Sequence, residues 1–214
     1  MIATNRPHKA VGRGVLAAVA MAAPALLVLS GPAAVAGKPA AVPLNPAPPD
    51  YYSCTTNGSG TYCSGESTFS YGPEPLGVVC GSGPDAFEVL DQAVRHTQAE
   101  RWYDQDGNIV KRQRTNTFET ASLSSPSGAQ VGYSQRDRDI DVFSVPGDIT
   151  MGTTYTNSSL RATVPGMGAV IVEKGRLVWG ENGDLLQEAG RHDLLDYFLG
   201  DPGALDKLCA ALGA

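Results

Sequence analysis

The sequence predicts an all-β protein, an antiparallel up-and-down β-barrel or a β-sandwich, with a short C-terminal helical clasp. Between residues 87 and 189, apolar and polar residues alternate in short runs, and turn signals rich in Gly, Pro, Asn and Asp separate those runs. The same stretch has almost no helical periodicity. Because the short intervals leave no room for crossover helices, the strands must be antiparallel neighbours.

The first 36 residues have the three parts of a secretory signal peptide. Three basic residues form the first part, residues 15–29 form an apolar run, and a small-x-small sequence ends at Ala36. We expect cleavage after Ala36 and a secreted, extracellular product. The apolar run is short and contains Pro24, so we expect no stable membrane insertion after cleavage.

Removal of the three basic residues of this segment changes the formal net charge from −6 to −9. An acidic protein repels phosphate backbones and anionic lipid headgroups. The composition therefore argues against nucleic acid as a partner and against a role on a membrane surface.

Three further segments follow. Residues 37–50 are rich in Pro and Ala and predict an extended, disordered tether. Residues 51–79 are rich in Cys, Gly and aromatic residues and predict a loop segment that packs against one end of the domain or forms an exposed recognition surface. Residues 80–214 predict the β-barrel domain with its C-terminal helix.

Within that domain, Asp106-Gly107 is typical of a hairpin turn, and the strand that follows it is long enough to require a bend or bulge near Thr115-Asn116. Asp193 and Asp201 are predicted to cap two short C-terminal helices. The predicted strands cover residues 87–94, 97–103, 109–123, 130–135, 140–144, a Thr-rich pair within 149–164, 169–173, 176–179 and 185–189. A turn at Lys174-Gly175 is predicted between the strands at 169–173 and 176–179.

Four cysteines, Cys54, Cys63, Cys80 and Cys209, form an even set in a chain predicted to be exported, which favours two disulfides over free thiols. Four cysteines allow three connectivities. We predict Cys54–Cys63, which closes a short Gly-rich loop, and Cys80–Cys209, because helical spacing places Cys209 on the same face as three leucines. A zinc site is the alternative, but the chain lacks C-x₂-C spacing and a nearby pair of histidines.

Several segments of the domain carry a resemblance to a known group of proteins. They are Cys80-Gly81, YDQDGNIV, SSPSG, VPGMGAVIVEKGRLVW, GDLLQEAGRHDLL and the final LDKLCAAL. Together they resemble uncharacterised small secreted proteins of high-GC Gram-positive bacteria. The resemblance implies export and a lipocalin-like β-barrel, and it transfers no catalytic residue, cofactor or assigned function.

Two groups of residues are candidates for chemistry. Asp137, Asp139 and Asp141 alternate, so on a strand their carboxylates share one face and could hold a cation such as Ca²⁺. The favoured interpretation is a solvated, charged edge strand, because charged edges discourage strand addition. His192 next to Asp193 could act as a base, but the chain has no nucleophile motif such as G-x-S-x-G, which favours capping or turn roles.

Three hypotheses for the function remain open. The first is an exported, non-catalytic protein that binds a small apolar ligand in or at the mouth of the barrel. The second is an enzyme that uses Asp137, Asp139, Asp141 or His192, and the third is a protein-interaction module with a filled core and exposed aromatic residues. An apolar cavity would favour the first, converging polar groups the second and a filled barrel the third. The sequence implies no cofactor, and it names neither a ligand nor a partner.

Overall fold

A computed structural model describes residues 42–214, so the predicted signal peptide and its cleavage site lie outside the described residues. The described part contains one eight-stranded sheet followed by short helices. The strands are β1 (Ser53–Asn57), β2 (Gly60–Cys80), β3 (Phe87–Tyr103), β4 (Ile109–Ser124), β5 (Gln130–Phe143), β6 (Gly152–Val164), β7 (Gly168–Trp179) and β8 (Leu185–His192). The helices are α1 (Asp193–Phe198) and α2 (Asp206–Ala211), with 3-10 turns at Gly83–Asp85 and Pro202–Leu205. None of the helices within residues 42–214 has the length and apolar character needed to cross a membrane.

Each strand pairs with the next strand along the chain, and every pairing is antiparallel. The predicted all-β class, the up-and-down connectivity and the short C-terminal helical segment are therefore confirmed. Within residues 42–214, β1 and β8 do not pair with each other. The sheet is barrel-like, and its inner face must be covered by parts of the chain other than strands.

The strands are longer than the sequence predicts. The predicted pairs of short strands within residues 87–103, 130–144, 149–164 and 169–179 are single continuous strands, β3, β5, β6 and β7. The predicted turn at Lys174-Gly175 lies inside β7, where a Cβ on Gly175 would approach the carbonyl oxygen of Ala189 on β8 to 2.0 Å. Gly175 is therefore present for close approach of β8 rather than for a turn.

Two further predictions about backbone structure are wrong. The segment at residues 51–79, predicted to be a loop, contains β1 and most of β2. On β2, the missing side chain of Gly65 leaves room for the ring of Tyr52. A Cβ on residue 65 would lie only 2.9 Å from Tyr52 Cδ2, which is too close. The bulge expected at Thr115-Asn116 lies instead between Phe118 and Ala121.

Residues 42–50, which we call the N-terminal strap, are ordered against the sheet rather than being a disordered tether. The backbone N–H of Asn45 donates to the carbonyl of Gly107 at 2.8 Å, and the N–H of Ile109 donates to the carbonyl of Asn45 at 2.9 Å. The hydroxyl of Tyr103 donates to the carbonyl of Pro46 at 2.9 Å. These bonds hold the strap over one end of the inner face.

Apolar side chains cover the two ends of the inner face. The larger cluster lies beneath the C-terminal helices and contains Val78, Cys80, Val89, Leu123, Val131, Leu160, Ala162, Val170, Ile171, Leu205, Leu208 and Leu212. The smaller cluster lies beneath the N-terminal strap and contains Cys63, Tyr103, Ile109 and Phe143, with Leu44 and Tyr52 against it. Between the two clusters, charged and polar side chains share the inner face with a few apolar ones such as Phe69 and Phe118.

Residues 193–212, which we call the C-terminal clasp, reach from the end of β8 to β2. The hydroxyl of Tyr197 accepts a hydrogen bond from the backbone N–H of Val79 at 3.0 Å. Asp201 caps the 3-10 turn as predicted, with its carboxylate accepting from the N–H of Gly203. Asp193 does not cap α1, because its carboxylate accepts from the N–H of Val172 instead.

Two cysteine pairs lie at disulfide distance, and they are the two pairs that the sequence predicts. The sulfurs of Cys54 and Cys63 are 2.05 Å apart, and those of Cys80 and Cys209 are 2.10 Å apart. The first pair links the β1–β2 hairpin, and the second links the end of β2 to the C-terminal clasp. Such pairs are compatible with an extracellular protein.

The Cys80–Cys209 bridge is expected to contribute more to stability than the Cys54–Cys63 bridge. The bridged cysteines are 129 residues apart in the first case and 9 in the second, and a longer closed loop removes more entropy from the unfolded chain. We predict that replacing Cys80 and Cys209 by Ala lowers the free energy of unfolding by about 2–5 kcal/mol. Urea denaturation checks this, with the Cys54→Ala, Cys63→Ala protein as the matched control. Equal losses in the two proteins would contradict the prediction.

Candidate functional site

The three aspartates that alternate in the sequence share one face of β5, as predicted, but this is the inner face of the sheet and β5 is not an edge strand. It pairs with β4 on one side and β6 on the other. Asp141 is only 5% exposed, and the side chain of Asp139 is 19% exposed. The interpretation of this stretch as a solvated edge is therefore wrong, because the strand register places its carboxylates inside the curled sheet.

Two of these carboxylates have arginine partners on β4, and we call the two pairs the charged ladder. Arg112 lies opposite Asp141, with Nε 2.7 Å from Oδ2, and Arg114 lies opposite Asp139, with Nη2 3.6 Å from Oδ2. Hydroxyls of β6 donate to the other oxygens of these carboxylates. Opposite charges directly across an antiparallel pair stabilise the sheet, and here they neutralise charges taken out of water.

Asp137 continues the same row but has no basic partner. Its neighbour across β4 is Asn116, whose side-chain oxygen already accepts from Thr97 at 2.8 Å. Gln135 donates to Asp137 Oδ2 at 2.7 Å, whereas the buried Oδ1 has no hydrogen-bond partner among the described residues. Burial raises the pKa of Asp137 to about 6, and the nearby carboxylates of Asp139 and Glu173 add to that rise.

Asp137 lines a cleft of about 460 Å³, which we call the central cleft. Side chains from six successive strands and from α1 line it: Phe69, Tyr71, Glu74, Leu76, Asp91, Arg95, Phe118, Leu123, Tyr133, Gln135, Asp137, Thr156, Ser158, Leu160, Ile171, Glu173 and Leu194. Six strands laid flat would span about 24 Å, so the sheet must curl for all of them to reach one cleft. The volume lies in the range of small-molecule sites.

The lining changes from apolar to polar in the same direction on three neighbouring strands. On β6, Leu160 is followed two residues away on the same face by Ser158, and on β7, Ile171 is followed by Glu173. On β5 the inner face runs from Val131 of the larger apolar cluster towards Asp137. Along β5, β6 and β7 the wall of the central cleft therefore changes from apolar beneath the C-terminal clasp to polar at the middle of the sheet.

A carboxylate and two tyrosines form part of the polar lining. The hydroxyl of Tyr71 donates to Asp91 Oδ2 at 2.9 Å, and the hydroxyl of Tyr133 donates to Oδ1 at 2.8 Å. Burial raises the pKa of Tyr71 to about 12 and also raises the pKa of Tyr133. Both hydroxyls therefore keep their protons at neutral pH and satisfy both oxygens of Asp91.

His192 is a structural residue in this arrangement. Its side chain is fully buried, with Nδ1 3.1 Å from Glu173 Oε2 and Nε2 3.2 Å from the carbonyl oxygen of Ala189. The other oxygen of Glu173 accepts from the backbone N–H of Leu194. Burial raises the pKa of Glu173, and the hydrogen bonds from Leu194 and His192 oppose that rise. This pair fixes the turn from β8 into α1, and His192 does not line the central cleft.

The remaining candidates do not converge on one site. Among residues 42–214, no group of three or more His, Cys, Asp and Glu side chains is arranged to hold a metal ion. The aromatic residues of the predicted loop segment point to different places, because Tyr52 packs on the smaller apolar cluster and Tyr71 bonds to Asp91. Tyr51 and Phe69 are about half exposed.

Sequence reasoning missed most of the cleft-lining polar residues. Glu173 ends the apolar run AVIVE, and a carboxylate at the end of a buried strand is a signal that could have identified it. Tyr71, Asp91 and Tyr133 lie on three different strands, and no local spacing connects them. Only the register of the sheet brings them together.

Comparison with known proteins finds no matching family model, no matching curated protein and no matching solved structure.

The buried pair of Glu173 and His192 predicts a large loss of stability on removal of the imidazole. His192→Ala leaves the Glu173 carboxylate without one partner inside the protein, and such a change costs about 3–5 kcal/mol. His96 is the matched control, because its contact with Glu119 is exposed at the surface. His96→Ala should cost less than about 1 kcal/mol. Chemical denaturation of both variants measures the difference, and similar losses would show that the buried pair has no special role.

The raised pKa of Asp137 predicts that this residue lowers stability above about pH 6. The unfolded carboxyl ionises near its usual pKa of 3.8, whereas the folded carboxyl resists ionisation until about 6. The folded state therefore loses stability relative to the unfolded state as the pH rises through this window, and nothing is lost below it. Asp137→Asn should raise the free energy of unfolding by about 1–2 kcal/mol at neutral pH, with no gain near pH 3.

The matched control is Asp139→Asn, two residues along on the same face. It removes a carboxylate that pairs with Arg114 and accepts from Thr156, so it should lower stability by about 1 kcal/mol. Denaturant titrations of the two variants from acidic to neutral pH make the comparison. A gain for Asp137→Asn that is independent of pH would contradict the prediction.

Proposed function

We propose that this chain is an exported, non-catalytic protein that binds a small, largely apolar molecule with one polar end in the central cleft. The observation that carries the proposal is the shared gradient of β5, β6 and β7, which places leucine and isoleucine side chains at one end of the cleft and hydrogen-bonding groups at the other. A molecule with an apolar body and a polar head matches both ends. Apolar sites with a few placed polar groups are typical of small-molecule binding.

The cleft has walls that are already in place. Leu160 and Ile171 belong to the larger apolar cluster, which the C-terminal clasp covers. The hydrogen bonds of Asp91 and Glu173 fix side chains on opposite sides of the cleft. A site whose side chains are ordered before binding loses little conformational entropy when the ligand arrives.

Non-catalytic binding is favoured over catalysis by the state of the acid–base candidates. His192 is buried and contacts acceptors with both ring nitrogens, and Asp139 and Asp141 are held by arginines. Side chains with these contacts are not free to exchange protons with a substrate. Asp137 remains, with the hydroxyl of Ser158 opposite it, but no histidine within residues 42–214 lines the cleft with them to act as a base, and this arrangement fits recognition better than hydrolysis.

Export is the part of the proposal that concerns location. The N-terminal segment has the pattern of a signal peptide, and two cysteine pairs lie at disulfide distance. A protein outside the cell has access to small amphiphilic molecules in the surroundings. N-terminal sequencing of the protein from culture medium would test the location, and a chain that still began at Met1 would contradict export by cleavage.

A bulky side chain in the central cleft should abolish binding. Ser158 lines the cleft, whereas its neighbour Ser159 lies on the outer face of β6 and is exposed. With the uncharged dye Nile red, and with decanol as its competitor, we expect Ser158→Trp to weaken binding about tenfold or more and Ser159→Trp to leave it within about twofold. Fluorescence titration measures both, and thermal melting checks that both variants fold. Absence of binding to the unmodified protein, or equal binding by both variants, would refute the proposed function.

A further inference from the structure

The charges that line the central cleft are mostly negative. Glu74, Asp91, Asp137 and Glu173 carry carboxyl groups, and Arg95 carries the one positive charge in the lining. Asp91 and Glu173 already have donors on both oxygens. Asp137 Oδ1 differs from them, because it is buried and has no donor among residues 42–214.

The electrostatic surroundings of Asp137 favour a cation. The charged groups that act on its carboxyl are Asp139 and Glu173, both of them anionic. The residues directly opposite it are Asn116 on β4 and Ser158 on β6, which are uncharged, and the nearest arginine of β4, Arg114, pairs with Asp139 instead. A buried carboxylate without a countercharge is unfavourable, and a bound cation would supply that countercharge.

We propose that the central cleft binds a cationic amphiphile, a molecule with an alkyl or aryl body and a primary or secondary ammonium group that donates to Asp137. This inference rests on the proposed function and specifies the head group of the ligand. The apolar body lies against Leu160 and Ile171, beneath the C-terminal clasp. The ammonium group lies at the middle of the sheet, between β5 and β6.

The polar end of the cleft offers the acceptors that an ammonium group needs. A primary ammonium carries three N–H donors. Gln135 uses its amide N–H to bond to Asp137, which leaves its side-chain oxygen as an acceptor, and the hydroxyl of Ser158 lines the same cleft. With Asp137 itself, these groups give the cleft three acceptors on the neighbouring strands β5 and β6. Charge-assisted hydrogen bonds of this kind are stronger than neutral ones.

A carboxylate ligand fits this end of the cleft less well. It would place a further negative charge beside Asp137, Asp139 and Glu173. Arg95 is the group that could attract it, because its buried Nε also has no hydrogen-bond partner among residues 42–214. Its guanidinium, however, lies over the ring of Phe69 at 5.7 Å, on the β2–β3 side of the cleft rather than at Asp137 on β5. An alcohol could donate one hydrogen bond to Asp137 without balancing its charge. The order of affinity expected from these charges is amine, then alcohol, then carboxylate.

Affinity for a cation should depend on pH because Asp137 must be ionised to attract it. The pKa of Asp137 in the free protein is about 6. Binding of the amine should therefore strengthen as the pH rises from about 5 to about 8, while an aliphatic amine with a pKa near 10 stays protonated throughout. Decanol, which carries no charge, should show little change over the same range.

Isothermal titration calorimetry with three ligands of equal chain length tests the inference. The ligands are decylamine, decanol and decanoate, at about pH 8 and at concentrations below micelle formation. We expect the unmodified protein to bind decylamine about tenfold or more tightly than decanol, and decanoate least tightly.

Three variants locate the effect. Asp137→Asn should reduce the affinity for decylamine to about that for decanol and remove its pH dependence. Asp139→Asn is the matched control and should retain the preference for the amine, because Asp139 is paired with Arg114 and does not line the cleft. Asn116→Arg extends the charged ladder by one pair, so an internal cation should satisfy Asp137 and abolish the preference for decylamine.

The outcomes separate the inference from the proposed function. Loss of the amine preference in Asp137→Asn and Asn116→Arg, with retention in Asp139→Asn, supports the inference. Equal binding of decylamine and decanol, or tightest binding of decanoate, overturns the inference and leaves the proposed function standing. Failure of all three ligands to bind the unmodified protein overturns the proposed function, and the inference is then rejected with it.

Discussion

The structure depends on covering the inner face of a curled sheet whose first and last strands do not pair. A closed barrel joins its edges by hydrogen bonds and fills its interior with side chains from its own strands. Here β1 and β8 remain unpaired within residues 42–214, and two non-strand segments cover the ends of the inner face instead. The C-terminal clasp buries Leu205, Leu208 and Leu212 at one end, and the N-terminal strap packs Leu44 at the other. The middle of the face lies between these covers.

The uncovered middle explains why charged residues occupy the interior. Charged side chains there belong to neither apolar cluster, yet the curl of the sheet removes much of their contact with water. Polar residues in such a position must form hydrogen bonds or ion pairs with one another. Arg112 with Asp141, and Arg114 with Asp139, meet this requirement through the antiparallel register of β4 and β5. Asp137 stands opposite Asn116 in the same register and does not.

The sequence was sufficient to predict properties that depend on local pattern. The period-two alternation of residues 137–141 correctly placed three carboxylates on one face, and the helical spacing of Leu205, Leu208 and Leu212 correctly predicted an inward face. Strand ends were predicted less well because glycine occurs both in turns and inside strands where a neighbouring backbone approaches closely. Gly175 was interpreted as a turn residue, whereas it permits the close approach of β8 within a continuous strand.

Most of the candidate site could not be predicted from the sequence, because its residues lie on different strands and only the pairing register of those strands brings them together. Asp91 and Tyr133 are hydrogen-bonded although β4 lies between their strands, and this contact requires both the curl and the alignment of three strands. The order of strands also decided the interpretation of Asp137, Asp139 and Asp141. Their alternation alone is compatible with an exposed edge or an interior strand, and pairing on both sides makes β5 interior. Local propensity carries no information on that choice.

Asp137 departs from the pairing of aspartate with arginine that the rest of its row on β5 follows. On the same strand, Asp139 lies opposite Arg114 and Asp141 lies opposite Arg112. The geometry of β4 therefore allows a basic partner in this row, and the third position has Asn116 instead. A buried carboxylate without a countercharge lowers stability, and Asn at position 137 would avoid that loss. Departures from local consistency that lower stability tend to lie at functional sites. Asp137 lies at such a departure and also lines the cleft at the end where β6 and β7 turn polar. The position that folding alone does not explain is therefore the position at which we propose that a cationic head group binds.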